Sequence, residues 1–298
     1  MGLSERDPHS GHQTTGHEWN GIKELNTPVP WPVWAFLIAT FLFGVVYWVL
    51  MPAWPMGRTY TRGLLGVDQR TTVTQQVARA DADRAAWTRK IAALDIGQIR
   101  ADPALMKAVR EDGSRLFGDN CAACHGSDAR GGKGFPNLID GDWLWGGTPE
   151  QIAQTIAVGV NSPASKATRV SQMLSFGRDG ILDNNSVLAV ADYVRSLSNP
   201  AVARGAGAKS VAAGRVVFAA NCVTCHGPDG HGNPALGAPN LADRTWLYGG
   251  DAQSVYTSVH EGRRGEMPAW GGRLTAVDRK ILLIWLLDKQ AQQGGTAR

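Results

Sequence analysis

The chain has 298 residues, of which 43% are hydrophobic and 19% are charged, and its formal net charge is +4 with a sequence pI of about 9.0. This length is enough for about two domains. The basic balance does not indicate nucleic-acid binding, because the chain contains no run of basic residues and no aromatic stripe interleaved with one.

Residues 1–31 form a polar N-terminal segment. They include His9, His12 and His17 among glycine, serine and threonine. A metal site is one interpretation of these histidines, but this composition is typical of flexible polar sequence, which is the interpretation that we adopt. From His17 to Leu25 the composition changes and predicts a short structured collar just before the apolar stretch that follows.

Residues 32–54 are the predicted transmembrane helix. The nineteen residues from Val33 to Met51 contain Thr40 as the only clearly polar side chain, and at about 1.5 Å each they cross the hydrocarbon layer. The stretch begins well inside the chain and no small-residue cleavage site follows it, so we predict an uncleaved anchor rather than a signal peptide. Tryptophans flank it, as in interfacial aromatic belts: Trp31, Trp34, Trp48 and Trp54.

Residues 55–107 are predicted to be a connector that contains an amphipathic helix of about six turns, interrupted at Arg84. We expect its apolar stripe to pack against its own chain, although a partner subunit is the alternative. The stripe consists of Val73, Val77, Ala80, Trp87, Ile91 and Leu94.

Two Cys-x-x-Cys-His motifs carry the chemistry of the chain. On a helical turn this spacing places both thiols and the imidazole on one face, which is the arrangement for covalent attachment of haem c with histidine as the proximal iron ligand. A zinc site would need two cysteine pairs closing one tetrahedron, and a thioredoxin-like pair would need a βαβ context. Neither alternative predicts a histidine after both pairs. The expected residues are Cys121, Cys124, His125, Cys222, Cys225 and His226.

Methionine is the usual sixth ligand of a haem iron that transfers electrons. Met173 lies 48 residues after His125 and Met267 lies 41 residues after His226, each in loop-like sequence before a final helix. Sequence order pairs Met173 with the first haem and Met267 with the second, although a two-fold arrangement would exchange them. His260 is a competing ligand for the site of Met267.

The two motifs belong to an internal repeat with an offset of 101 to 103 residues. Each copy reads as helix, haem motif, glycine-rich loop, helix, methionine loop and helix. We therefore predict an all-α fold, with one N-terminal transmembrane helix followed by two tandem class I cytochrome c-like domains at 108–200 and 209–291. Aromatic residues at matching loop positions are expected to pack on the haems rather than to conduct electrons: Trp143, Trp145, Trp246 and Tyr248.

Together these features resemble the membrane-anchored dihaem subunit of cbb3-type cytochrome c oxidases, the CcoP/FixP family, over nearly the whole chain. Beyond the haem motifs, the resemblance includes the single anchor, Asp102-Pro103 and Gly159-Val160-Asn161. Three segments make it specific to this family: His17-Glu18-Trp19 with Gly21 to Leu25, Gly141-Asp142-Trp143-Leu144, and Phe176 to Leu182. Leu174 departs from the proline that is common after the first methionine in the family.

The resemblance implies an electron-transfer subunit that performs no bond chemistry itself. Electrons from a cytochrome c donor would continue, through a monohaem c subunit or directly, to a catalytic subunit whose haem b and copper reduce oxygen with proton pumping. Because covalent haem c is assembled outside the bacterial cytoplasmic membrane, the haem domains are expected in the periplasm and residues 1–31 in the cytoplasm. The alternatives are an independent membrane-tethered dihaem carrier and a dihaem peroxidase, which would need an open iron position.

Overall fold

The structure is a computed structural model that describes residues 5–296, and it divides into two units between Asp83 and Arg84. The chain is mostly helical, as predicted. The one sheet in the described residues is a two-stranded hairpin near the N-terminus.

The first unit begins with an antiparallel hairpin of β1 (Thr14–Trp19) and β2 (Ile22–Leu25). Asn20 and Gly21, with φ of 51° and 84°, make the two-residue turn, because asparagine and glycine tolerate this left-handed backbone. The predicted collar is therefore a folded hairpin. The preceding segment was expected to be flexible, but it forms a β-bridge at Arg6.

Helix α1 (Trp31–Leu50) has 20 residues, none of them buried within the protein. At about 1.5 Å per residue it is about 30 Å long, which matches the hydrocarbon core of a bilayer. The Thr40 hydroxyl donates to the Phe36 carbonyl at 2.9 Å and so leaves no unpaired donor. The helix ends before the predicted limit at residue 54, because Pro52 lacks an amide hydrogen and holds Met51 in extended backbone.

Helix α2 (Gln69–Ala93) has 25 residues and, as predicted, runs through Arg84, which interrupts only its apolar stripe. The guanidinium of Arg84 pairs with two aspartates, which accommodates its charge without breaking the helix. The apolar stripe of α2 was expected to pack against its own chain. Its C-terminal part does so, because Trp87 and Ile91 belong to the first core of the second unit. In the first unit, Val73 and Val77 are more than half exposed.

The helices of the second unit pack in two groups, each with its own apolar core. Phe117 and Trp285 stack in the first core with ring centroids 4.8 Å apart. The first group contains α3 (Ile96–Ala101), α4 (Pro103–Asn120), the short turn α5 (Ala122–His125), α6 (Pro149–Val158) and α11 (Ala276–Thr296).

The second group has the same plan. Phe218 and Tyr193 pack in its core with ring centroids 5.2 Å apart. A 3-10 turn at Pro200–Ala203 leads from the first to the second of its helices. The group contains α7 (Asn184–Ser198), α8 (Gly207–Asn221), the short turn α9 (Val223–His226) and α10 (Ala252–Glu261).

These two groups do not follow the two sequence repeats. Helix α7 ends the first repeat but packs against α8 and α10 of the second, whereas α11 ends the second repeat but packs against α4 and α6 of the first. The repeats have therefore exchanged their last helices.

Equivalent glycines allow the close helix crossing in both groups. A Cβ on Gly113 would lie 2.7 Å from the Cβ of Trp285, and a Cβ on Gly214 would lie 1.9 Å from the carbonyl oxygen of Ala189. Because both distances are shorter than side chains tolerate, glycine is required where α4 crosses α11 and where α8 crosses α7.

Candidate haem sites

The first Cys-x-x-Cys-His motif occupies the end of α4 and the turn of α5. Cys121 is half-buried, Cys124 is exposed and His125 is buried with 9% of its surface exposed. Gly126 ends the turn with a φ of 74°. Burial raises the pKa of the Cys121 thiol to about 11, so the free thiol is protonated at neutral pH.

The second motif repeats this arrangement at the end of α8. Cys222 is half-buried, Cys225 is exposed and His226 is again 9% exposed. Burial likewise raises the pKa of the Cys222 thiol to about 11. The six predicted motif residues thus form two equivalent clusters, each with one half-buried thiol, one exposed thiol and one buried imidazole.

Each buried imidazole is held by one backbone carbonyl. The Nδ1–H of His125 donates to the Pro136 carbonyl at 3.0 Å, and that of His226 donates to the Pro239 carbonyl at 3.1 Å. Because a carbonyl can only accept, this bond requires the proton on Nδ1 and leaves the Nε2 lone pair for a metal. Burial lowers the pKa of both imidazoles, against the opposing effect of the carbonyl, which favours the neutral form that binds iron.

The loop after the first motif brings the carbonyl into place. The Gly131 amide donates to the His125 carbonyl at 2.8 Å. The φ of Gly131 is 68°, and a Cβ on this residue would lie 2.5 Å from the Pro136 carbonyl oxygen. Only glycine combines that backbone with so close an approach. Gly232 occupies the equivalent position after the second motif.

Each candidate methionine packs in the group that contains the haem motif of the other repeat. Met267, from the second repeat, packs against the first core, as does Cys121. Met173, from the first repeat, packs against the second core, as does Cys222. The packing therefore follows the two-fold alternative and not the order of the residues in the sequence.

Backbone pairing holds both methionines in these positions. Met267 and Val160 exchange two amide-to-carbonyl hydrogen bonds, each 2.9 Å long. Met173 and Arg263 exchange two bonds of 2.8 and 3.2 Å. Each methionine loop thus pairs with the strand-like segment that follows the middle helix of the other repeat.

His260 lies apart from Met267, with which it was expected to compete. It belongs to α10 of the second group, where its ring stacks on Tyr256 with centroids 5.4 Å apart and lies against Gly177. Its Nδ1 contacts the Glu261 carboxylate at 2.7 Å. Met267 packs with the first core, so the two residues do not share a site.

Aromatic loop residues link the two groups, and two arginines lie over them. Trp145 lies against Gly237 of the second repeat, and Tyr248 lies against Gly134 of the first. The guanidinium of Arg169 is 5.0 Å from the centroid of Trp145, and that of Arg263 is 4.3 Å from the centroid of Tyr248. Sequence reasoning missed both arginines, because their places over the two rings depend on tertiary contacts.

The two sites suit covalently attached haem. Each offers two thiols on one helical turn, an imidazole whose tautomer leaves Nε2 free, and a methionine thioether from a separate loop. Imidazole and thioether are neutral ligands that suit haem iron. Their cysteines are unpaired with one another in the described residues and thus available for thioether bonds.

This fold and these sites define a membrane-anchored c-type cytochrome. Residues 110–198 match the family described as cytochrome c, residues 209–286 match subunit III of cbb3-type cytochrome c oxidase, and residues 11–58 match the N-terminal domain of cytochrome oxidase-cbb3, FixP. The cytochrome c families imply covalent haem c, and α1 is the helix in residues 5–296 that is long and apolar enough to cross a membrane.

The chain belongs to the FixP/CcoP family of cbb3-type cytochrome c oxidase subunits. It is 47% identical to subunit FixP of Bradyrhizobium sp. (strain ORS 278), over 95% of this chain and 96% of that one. It is 45% identical to FixP of Rhizobium meliloti (strain 1021), over 94% and 95% of the two chains. It is 41% identical to subunit CcoP of Azospirillum sp. (strain B510), over 96% and 98%.

Proposed function

We propose that this chain is the dihaem electron-transfer subunit of a cbb3-type cytochrome c oxidase. The main support is that one chain contains two equivalent Cys-x-x-Cys-His turns and an apolar anchor helix. Relatives that match over nearly the full length of this chain are named as subunits of that oxidase. One haem c would be held by Cys121 and Cys124, and the other by Cys222 and Cys225. When bound, each iron takes up and releases one electron.

The partners in this proposal are a cytochrome c donor, a monohaem c subunit and the catalytic subunit with haem b and copper, where oxygen reduction is coupled to proton pumping. This chain would take no part in the bond chemistry. Its haem-bearing unit would lie in the periplasm of a bacterium and residues 1–31 in the cytoplasm. Protease added to spheroplasts would then release haem c, whereas protection of all haem c from that protease would contradict this orientation.

Purification of the chain from its native membranes in mild detergent tests the oxidase assignment. We expect haem b and copper to accompany haem c, and oxygen uptake to be lost when the chain is deleted. Haem c alone, without copper or dependence of oxygen uptake on the chain, would instead identify an independent membrane-tethered carrier.

The proposal assigns His125 and Met267 as the axial pair of the first haem, and His226 and Met173 as that of the second. Support comes from the packing of each methionine against the same core as a haem-motif cysteine of the opposite repeat. A methionine thioether raises the haem potential relative to a second histidine.

Substitutions in a chain with one haem test this pairing. When Cys222 and Cys225 are replaced by alanine, only the first haem remains, and Met267→His should lower its potential and remove the absorption band of iron–thioether ligation. Met173→His in the same background is the matched control and should leave both unchanged. The reverse result would restore the pairing by sequence order.

A further inference from the structure

Arg169 is a half-buried cation without a counter-charge. Its Nη2 donates to the Gln151 carbonyl and to the Gln154 side chain, each at 3.1 Å, while its buried Nε has no hydrogen-bond partner. Among residues 5–296 no carboxylate lies within ion-pair distance of its guanidinium. Burial lowers the pKa of Arg169, as expected for a charge that has lost water and gained no anion.

Arg263 occupies the corresponding place in the second group. Its Nε donates to the Ser258 hydroxyl at 3.0 Å, and within the described part of the chain it too forms no ion pair with a carboxylate. Both guanidinium groups lie over an aromatic ring of the equivalent loop, Trp145 for Arg169 and Tyr248 for Arg263. Each site therefore contains one stacked and unneutralised arginine.

Both arginines lie beside the strand that carries the candidate methionine of their group. The Arg169 amide donates to the Gly159 carbonyl at 3.1 Å, next to Val160, which pairs with Met267. Arg263 pairs directly with Met173. The backbone therefore places each arginine next to the segment that pairs with, or carries, the candidate methionine of its group.

The two arginines hold the same place relative to the methionine of their repeat. At the offset of 103 residues Arg263 aligns with Val160, but the two methionines are 94 residues apart, and at that offset Arg169 aligns with Arg263. A stacked cation thus occurs in both sites, four residues before a methionine in each repeat. This recurrence indicates that each site requires a positive charge at this point.

We propose that Arg169 and Arg263 are positioning residues that each bind a propionate carboxylate of the haem in their own group. This proposal rests on the haem sites and methionine pairing of the proposed function. Arg169 would serve the haem at Cys121, and Arg263 the haem at Cys222. Haem c keeps its propionates after its vinyl groups have reacted, and a guanidinium on an aromatic ring offers a preorganised donor for a carboxylate.

This contact would also set the potential of each haem. Reduction lowers the positive charge on the iron, so a nearby cation opposes oxidation and raises the midpoint potential. Removal of the cation would lower the potential of the haem in the same group and leave the other haem unchanged.

Redox titration of the full-length holoprotein in detergent tests the assignment, with the two haem transitions resolved. We expect Arg169→Gln to lower one midpoint potential and Arg263→Gln to lower the other, while Arg169→Lys recovers most of the loss. Arg273→Gln is the matched control, because exposed Arg273 also stacks on a tryptophan, at 4.7 Å from the ring of Trp270. It should change neither potential.

Unchanged potentials in both glutamine variants, with haem content intact, would overturn the proposal, and so would an equal shift in the control. If Arg169→Gln fails to retain haem, resonance Raman spectra of Arg169→Lys decide: an altered propionate bending mode supports the contact, and an unaltered mode contradicts it. A wild-type protein with fewer than two haem transitions would instead contradict the proposed function.

Discussion

Gly113 determines how closely α4 can approach α11. Replacement by alanine would place a Cβ 2.7 Å from the Cβ of Trp285, in a core where neither helix has free space. We expect Gly113→Ala to lower the free energy of unfolding by about 1–3 kcal/mol, the usual cost of overpacking. Thermal unfolding in detergent, followed by circular dichroism, measures the effect.

Gly118 provides the control on the same helix. A Cβ there meets no atom within 4 Å, and the residue has ordinary helical backbone. Gly118→Ala should therefore stabilise the protein by about 0.5–1 kcal/mol through the better helix propensity of alanine. Equal effects of the two substitutions would show that the crossing of α4 and α11 is looser than the structure has it.

Helices α4 and α11 are also joined by an ion pair. Arg110 donates from Nε and Nη2 to the two carboxylate oxygens of Asp288, at 2.8 and 3.1 Å. These bonds from Arg110 are the main reason why the pKa of Asp288 lies below its ordinary value of 3.8. A depressed carboxyl pKa contributes stability that is complete above the ordinary value and is lost as the pH falls through the folded value.

Asp288→Asn removes this contribution. The variant should be less stable than the wild type at pH 7. The difference should shrink as the pH falls from about 3.8 through the lower pKa of the folded protein, because the wild-type carboxylate then becomes protonated as well. Unfolding temperatures measured across this pH range provide the test. Asp119→Asn removes a carboxylate from an exposed position of the same helix and is the matched control. A difference for Asp288→Asn that does not change with pH would contradict the ion-pair argument.

Individual elements were readable from the sequence because their signals are local. The apolar run around Thr40, the spacing of each Cys-x-x-Cys-His motif and the apolar faces of the final helices all depend on neighbouring residues. The pairing of Arg84 with two aspartates was not predicted, because both carboxylates come from other helices. Arg169 was missed for a similar reason, since its place over Trp145 depends on tertiary contacts.

At the scale of the whole molecule, the exchange of final helices was not predictable from local pattern. Both repeats end in an apolar helix with a large aromatic residue, Tyr193 in one and Trp285 in the other, so the apolar pattern alone does not assign either helix to a core. The connection decides between them. Only the short turn at Pro200–Ala203 and a few further residues separate α7 from α8, and consecutive helices joined so closely usually pack together. Helix α11 is then left to complete the first core.

The exchange makes the two halves of the haem-bearing unit interdependent. A specific protease site inserted between Arg204 and Gly205 allows the connection to be cut in the folded protein. Since α7 stays packed on α8 and α11 on α4, we expect the two fragments to elute together in size-exclusion chromatography in detergent. Both haems should keep the absorption band of iron–thioether ligation.

The same protein before cleavage is the reference for elution volume and spectrum. If each haem site were instead completed by its own repeat, the connection would be a simple tether. Cleavage would then yield two separate fragments, each with an unchanged haem spectrum. With exchanged helices and the proposed methionine pairing, separation of the fragments requires a denaturant. The thioether band of both proposed haems is then lost as the fragments part, because each fragment carries the methionine that packs in the group of the other.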